Sequence, residues 1–184
     1  IKAMTDGSTL KLLDDVDLGT SFIGFYNSSA ENLTFDLNGH TITSSVDKKG
    51  TVYASKTGLV IRNGAIVNNS TSSTKTTSAV YVSNGGTTTL RNVKLISNMS
   101  GLAVCDLDGN LKSKSATVTI EDDTTVGDNV QYGVYLSSLK ATAQKERAVT
   151  LNINGGTITG TKNGVYVNGP ESSQYGTGKA SITG

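Results

Sequence analysis

Apolar and polar side chains alternate along this chain in short runs, and the runs recur. One kind reads as a strand, a polar corner and a second strand: Leu33-Thr34-Phe35-Asp36-Leu37-Asn38-Gly39-His40-Thr41-Ile42, then Leu59-Val60-Ile61-Arg62-Asn63-Gly64-Ala65-Ile66, then Thr88-Thr89-Leu90-Arg91-Asn92-Val93-Lys94-Leu95. Val118 to Val126 and Leu151 to Ile158 continue it. The other kind lies between successive copies of the first: Phe25-Tyr26, Val52-Tyr53, Val80-Tyr81-Val82, Val134-Tyr135-Leu136 and Val165-Tyr166-Val167. Alternation with period two predicts short strands. No run approaches the roughly 18 apolar residues of a membrane-spanning helix.

Recurrence at 20 to 50 residues implies a stacked architecture in which no single repeat can bury its apolar face alone. With Leu37, Ile61, Leu90, Ile120 and Ile153 taken as equivalent, the intervals are 24, 29, 30 and 33 residues, and Ile182 stands 29 further on. The aliphatic beyond each corner is then expected five residues on, or six in the copy that starts at Ile120. Three short strands per repeat, stacked about 4.8 Å apart, satisfy the backbone by parallel pairing and fill a narrow lumen with Ile, Leu and Val. An antiparallel sandwich also gives recurring turns, but not two motifs in strict alternation.

Composition agrees. The 184 residues suit one domain, and 21 glycines with a single proline beside abundant Thr, Ser and Asn describe an all-β chain of many tight turns. With 16 basic and 15 acidic side chains the net charge is +1, and no basic run interleaves with aromatics, which gives no footprint for nucleic acid. A lone Cys105 excludes an internal disulfide framework and every multi-cysteine metal site. The opening Ile1-Lys2-Ala3-Met4-Thr5-Asp6-Gly7 reads as the end of a short helix, and the chain stops abruptly, so residues 1–184 are expected to be one domain cut from a longer polypeptide.

The alternation of Leu-x-Ile-x-Asn-Gly-x-Ile with Gly-Val-Tyr-Val resembles the right-handed parallel β-helix repeat of the pectin-lyase-like superfamily. Asp6 to Val16, followed by Leu33 to Thr43, resembles the first coil of β-helix modules in bacterial cell-surface proteins. The fold expected is a right-handed single-stranded parallel β-helix, or β-solenoid, of about five to six three-strand coils. The superfold carries lyases, hydrolases, tailspikes and adhesins alike, so the resemblance informs fold more than function.

Within that frame Val80 and Val82 face the lumen and Tyr81 faces solvent, and the same logic puts Tyr26, Tyr53, Tyr135 and Tyr166 on one outer face, with Ala103 breaking the row. Aromatic faces pack well on the C–H faces of sugar rings, so Tyr53, Tyr81, Tyr135 and Tyr166 are the candidate ligand-binding residues. Strand ladders also stack tyrosines for stability alone.

Catalytic candidates are weaker. The superfamily's hydrolase pattern has a Gly-His-Gly and an Arg-x-Lys, and neither stands here. Asp122-Asp123 occupies a corner that favours Asp as a turn residue. Asp106 and Asp108 space their oxygens like the first half of a calcium loop, but Leu111 and Thr117 stand where its glycine and glutamate belong. No metal or other cofactor is assigned, and calcium stays open. Arg62, Arg91 and Glu121 read as a surface charge ladder, and the single His40 as a turn residue.

The function expected is a non-catalytic, adhesin-like module, extracellular or on a cell surface, whose partners are a polysaccharide, a glycan or a host surface protein. Neither nucleic acid nor membrane insertion by this segment is expected. The alternatives are a lyase or hydrolase of acidic polysaccharide, with Asp106, Asp108, Asp122 and Asp123 as its support, and a purely structural spacer.

Overall fold

The computed structural model describes residues 4–26, 30–55, 58–106, 115–128, 130–138 and 149–168. They form six rungs, about five turns, of a parallel β-solenoid. The first rung holds β1 (Thr9–Lys11), β2 (Val16–Asp17) and β3 (Ile23–Phe25), and the second β4 (Leu33–Asp36), β5 (Thr41–Ser44) and β6 (Gly50–Ser55). The third holds β7 (Gly58–Asn68) and β8 (Ser78–Ser83), and the fourth β9 (Thr87–Ser97) and β10 (Ser100–Asp106). The fifth holds β11 (Ala116–Glu121), β12 (Thr125–Asp128) and β13 (Tyr132–Ser138), and the sixth β14 (Val149–Ile153), β15 (Thr157–Ile158) and β16 (Asn163–Asn168). No helix occurs among the described residues: Met4 to Gly7, expected to end one, runs into a turn in which the Ser8 N–H donates to the Thr5 carbonyl.

Each strand pairs in parallel with its counterparts above and below, which makes three ladders. The lumen is filled rung over rung by Leu10, Phe35, Ile61, Leu90, Ile120 and Ile153 on one ladder, by Val16, Ile42, Ile66, Leu95, Val126 and Ile158 on the next, and by Ile23, Val52, Val80, Leu102, Val134 and Val165 on the third. Burying each such side chain stabilises by about 1.5–3 kcal/mol against leaving it wet. Where Ala54 leaves room, Phe25 packs on Phe35 with ring centroids 5.5 Å apart.

Two expectations about the repeat need correction. Phe35, not Leu37, is the partner of Ile61, so the second rung's corner runs from Phe35 to Ile42 and is two residues longer than the corner from Ile61 to Ile66. The extra length is absorbed by a turn at Asn38 and Gly39, both with positive φ, closed by the His40 N–H on the Leu37 carbonyl at 2.8 Å. In the third and fourth rungs the corner is so tight that β7 and β9 pass through it as single 11-residue strands, bending at Asn63 and Asn92 (φ 61° and 48°). The fifth rung has one residue more between Ile120 and Val126, taken up in the turn at Asp122 (φ 48°), and a further one at Gly127, a bulge where the register slips between Val126 and Asp128.

The corners carry their own polar ladder. Asp36 accepts from the Asn38 N–H at 2.9 Å, the Asn63 amide at 3.3 Å and the Arg62 Nε at 3.0 Å, and the Asn92 amide donates to Asn63 at 3.2 Å. Arg62 and Arg91 do stand side by side as the charge ladder requires, and each is offset by a carboxylate, Arg62 by Asp36 and Arg91 by Glu121 and Asp122.

Candidate functional site

The third ladder positions the candidate residues. Tyr53, Tyr81, Ala103, Tyr135 and Tyr166 follow one another in strict register from β6 to β16, each flanked by two lumen-facing aliphatics. Tyr26 does not belong to the row. Gly24 is the partner of Tyr53, and the Tyr26 ring folds back over Gly24, where any side chain would collide with it.

The expected solvent exposure is corrected for two of the four. Tyr81 and Tyr135 are 5% and 6% exposed, while Tyr53 and Tyr166 are half-buried at the flanks. Alternation fixes only that a side chain leaves the lumen; it does not fix whether the outside is covered. Here Tyr81, Ala103, Cys105 and Tyr135 form a second apolar cluster outside the lumen, with Tyr53 and Tyr166 packed against it. The rings stack in two pairs, Tyr53 on Tyr81 at 5.5 Å and Tyr135 on Tyr166 at 5.9 Å, separated by the Ala103 rung. Such pairs contribute about 0.5–1.5 kcal/mol beyond the area they bury.

In the row, the phenols of Tyr53, Tyr81 and Tyr135 each find a polar partner two positions along the next rung. Tyr53 shares a hydrogen bond of 2.9 Å with Ser83, and the Asn168 amide donates to the Tyr135 oxygen at 3.2 Å. Tyr81 meets Cys105 in the same way, and burial, followed by its neighbours Cys105, Tyr53 and Tyr135, pushes its phenol well above the usual tyrosine range. The signal was in the sequence as Tyr53-x-Ser55, Tyr81-x-Ser83, Ala103-x-Cys105, Tyr135-x-Ser137 and Tyr166-x-Asn168, but only the register shows which side chain serves which ring.

Sequence reasoning missed the residues that flank the row. Phe22 meets Tyr53 edge-on at 6.0 Å, and the Lys49 ammonium lies 4.4 Å from the Phe22 ring centroid. At the other end Tyr132 touches Tyr135 and Tyr166, and Lys75 and Lys162 stand over its ring. These contacts join residues from different rungs, and no local pattern announces them.

The remaining candidates are placed as follows. Asp122 has φ 48° and turns the corner while pairing with Arg91 at 3.2 Å; Asp123 beside it is exposed. His40 sits in the second-rung turn with Nδ1 3.5 Å from Asp15, whose same oxygen accepts the Thr41 N–H at 2.8 Å. Asp108 with Leu111, and the side chain of Asp106, lie outside the described residues. No group of three or more His, Cys, Asp or Glu side chains placed to hold a metal occurs among the described residues, and no described helix is long and apolar enough to cross a membrane.

Compared with family models, curated proteins and solved structures, the chain matches none.

Proposed function

We propose that this chain is a non-catalytic solenoid module of a bacterial cell-surface or secreted protein, related to the pectin-lyase-like β-helices, and that its aromatic ridge is a contact surface for carbohydrate or for a host protein. The observation that carries the reading is the set of rings at the two flanks. Phe22 with Tyr53 at one end, and Tyr166 at the other, are half-buried side chains held rigidly by stacked neighbours whose hydroxyls are already satisfied. Rigid aromatic area with ammonium groups close by suits a sugar's C–H face and its polar groups. Tyr81 and Tyr135 then support the ridge from within, and direct contact falls to Tyr53 and Tyr166.

A purely structural spacer is the second reading, and the burial of Tyr81 and Tyr135 favours it. Glycan-array binding by wild type, Tyr53→Ala, Tyr166→Ala and the double variant separates the two. The binding reading expects signal in wild type that falls at least tenfold in the double variant with an unchanged circular dichroism spectrum. Wild-type signal that persists in the double variant overturns the ridge.

A further inference from the structure

Three tyrosines converge on one ammonium. Lys75 Nζ lies 4.6 Å from the centroid of the Tyr166 ring, 5.6 Å from Tyr132 and 6.0 Å from Tyr135. The rings hold one another in place at centroid separations of 5.1 Å (Tyr132 to Tyr166), 5.9 Å (Tyr135 to Tyr166) and 6.5 Å (Tyr132 to Tyr135). Two come from the same ladder position in adjacent rungs, and the third precedes Tyr135 by three residues on β13.

The cation arrives from elsewhere in the chain. Lys75 belongs to the segment joining β7 to β8 on the third rung, but its carbonyl accepts the Ser100 hydroxyl of the fourth at 2.7 Å. From there its side chain reaches the tyrosines of the fifth and sixth. No carboxylate among the described residues lies within ion-pair distance of Lys75, in contrast to Arg62, Arg91 and Lys94, which are all paired. The electron-rich ring faces are its partners.

A cage of this kind discriminates by hydration. A primary ammonium is a compact, strongly hydrated charge on a flexible stem, so it loses much solvation on entering a nest of rings. A methylated ammonium carries the same charge with far less hydration and with methyl groups that pack on the ring faces, which is why aromatic cages select such cations. We propose that Tyr132, Tyr135 and Tyr166 form a binding site for a ligand bearing a quaternary or methylated ammonium, and that Lys75 is its resident plug. The site shares Tyr166 with the saccharide reading but does not rest on it: it uses ring faces around a charge, and Phe22 and Tyr53 take no part in it, so loss of glycan binding in Tyr53→Ala and loss of cation binding are told apart.

Titration with tetramethylammonium chloride, with sodium chloride at equal ionic strength as the control, tests this on wild type, Lys75→Ala, Lys75→Ala with Tyr166→Leu, and Lys75→Ala with Tyr53→Ala. Removing the plug should tighten binding at least tenfold over wild type; Tyr166→Leu should abolish it and Tyr53→Ala should leave it unchanged. In the wild-type protein the Lys75 ε-methylene protons, shifted upfield by the rings, should move toward ordinary lysine values as tetramethylammonium is added. Affinity unaltered by Lys75→Ala, binding that survives Tyr166→Leu, or Lys75 resonances that stay still at saturation each overturn the proposal.

Discussion

The Tyr53 hydroxyl lies 2.9 Å from the Ser83 hydroxyl, so a ring on one rung is fastened to the polar side chain of the next. Repeated at Tyr135 with Asn168, this bond ties each half of the aromatic row across its own rung boundary. The row is thus part of what holds the solenoid together, whatever else it contacts.

Tyr81 should make stability sensitive to alkali. Its phenol is raised in the folded state by burial first and by Cys105, Tyr53 and Tyr135 after it. A raised acid contributes stability that is complete below the unfolded phenol value of about 10 and is lost as pH climbs from there toward the folded value. Melting curves between about pH 9 and 11.5 should show wild type losing Tm more steeply than Tyr81→Phe. At neutral pH the same substitution should cost about 1 kcal/mol for the lost hydrogen bond. Parallel pH slopes would remove the argument.

Asp36 should do the reverse in acid. Burial opposes its ionisation, but the Asn38 N–H, the Asn63 amide and the Arg62 guanidinium outweigh that and hold the carboxyl below its usual value. A depressed carboxyl stabilises the fold above about pH 4 and ceases to as pH falls through the folded value. Asp36→Asn should be less stable by about 1–3 kcal/mol at neutral pH and should have a flatter profile below about pH 4, read by urea unfolding at each pH.

Thr88 faces the lumen between Leu59 and Val118, fully buried, and among the described residues its hydroxyl has no hydrogen-bond partner. Valine has nearly the same shape without the stranded oxygen. Thr88→Val should therefore stabilise by about 1 kcal/mol, seen as a higher midpoint in chemical denaturation at unchanged slope. A lower midpoint would show that the hydroxyl is satisfied in solution.

Gly64 stands where a Cβ would run into the His40 carbonyl and the Leu37 side chain of the rung before. Because a backbone atom is among the obstacles, Gly64→Ala should cost about 1–3 kcal/mol. Alanine at Asn69, exposed and a few residues further along the same rung, is the matched control and should change stability by less than about 0.5 kcal/mol.

The ladders were legible from the chain because a lumen admits one class of residue at a fixed alternation. Ile61, Leu90, Ile120 and Ile153 could be aligned by eye, and the register agrees. Phe35 was missed because Leu37, which is also apolar and fully buried, mimics the motif two positions late within a longer turn. The burial of Tyr81 and Tyr135 was not legible, since it is set by neighbours a rung away and not by the strand's own alternation. The cage was hidden for the same reason: Lys75 and Tyr166 are far apart in sequence, and only the climb of one connecting segment brings them together.

Parallel stacking also decides how the molecule yields to force. The hydrogen bonds that join the rungs run along the solenoid axis, so tension between the first rung and the last loads one seam at a time instead of shearing all seams together. Each seam that opens frees about 30 residues and pays out roughly 100 Å of chain. Pulled end to end, such a module lengthens stepwise at modest load and absorbs strain in the manner of a ratcheted shock cord.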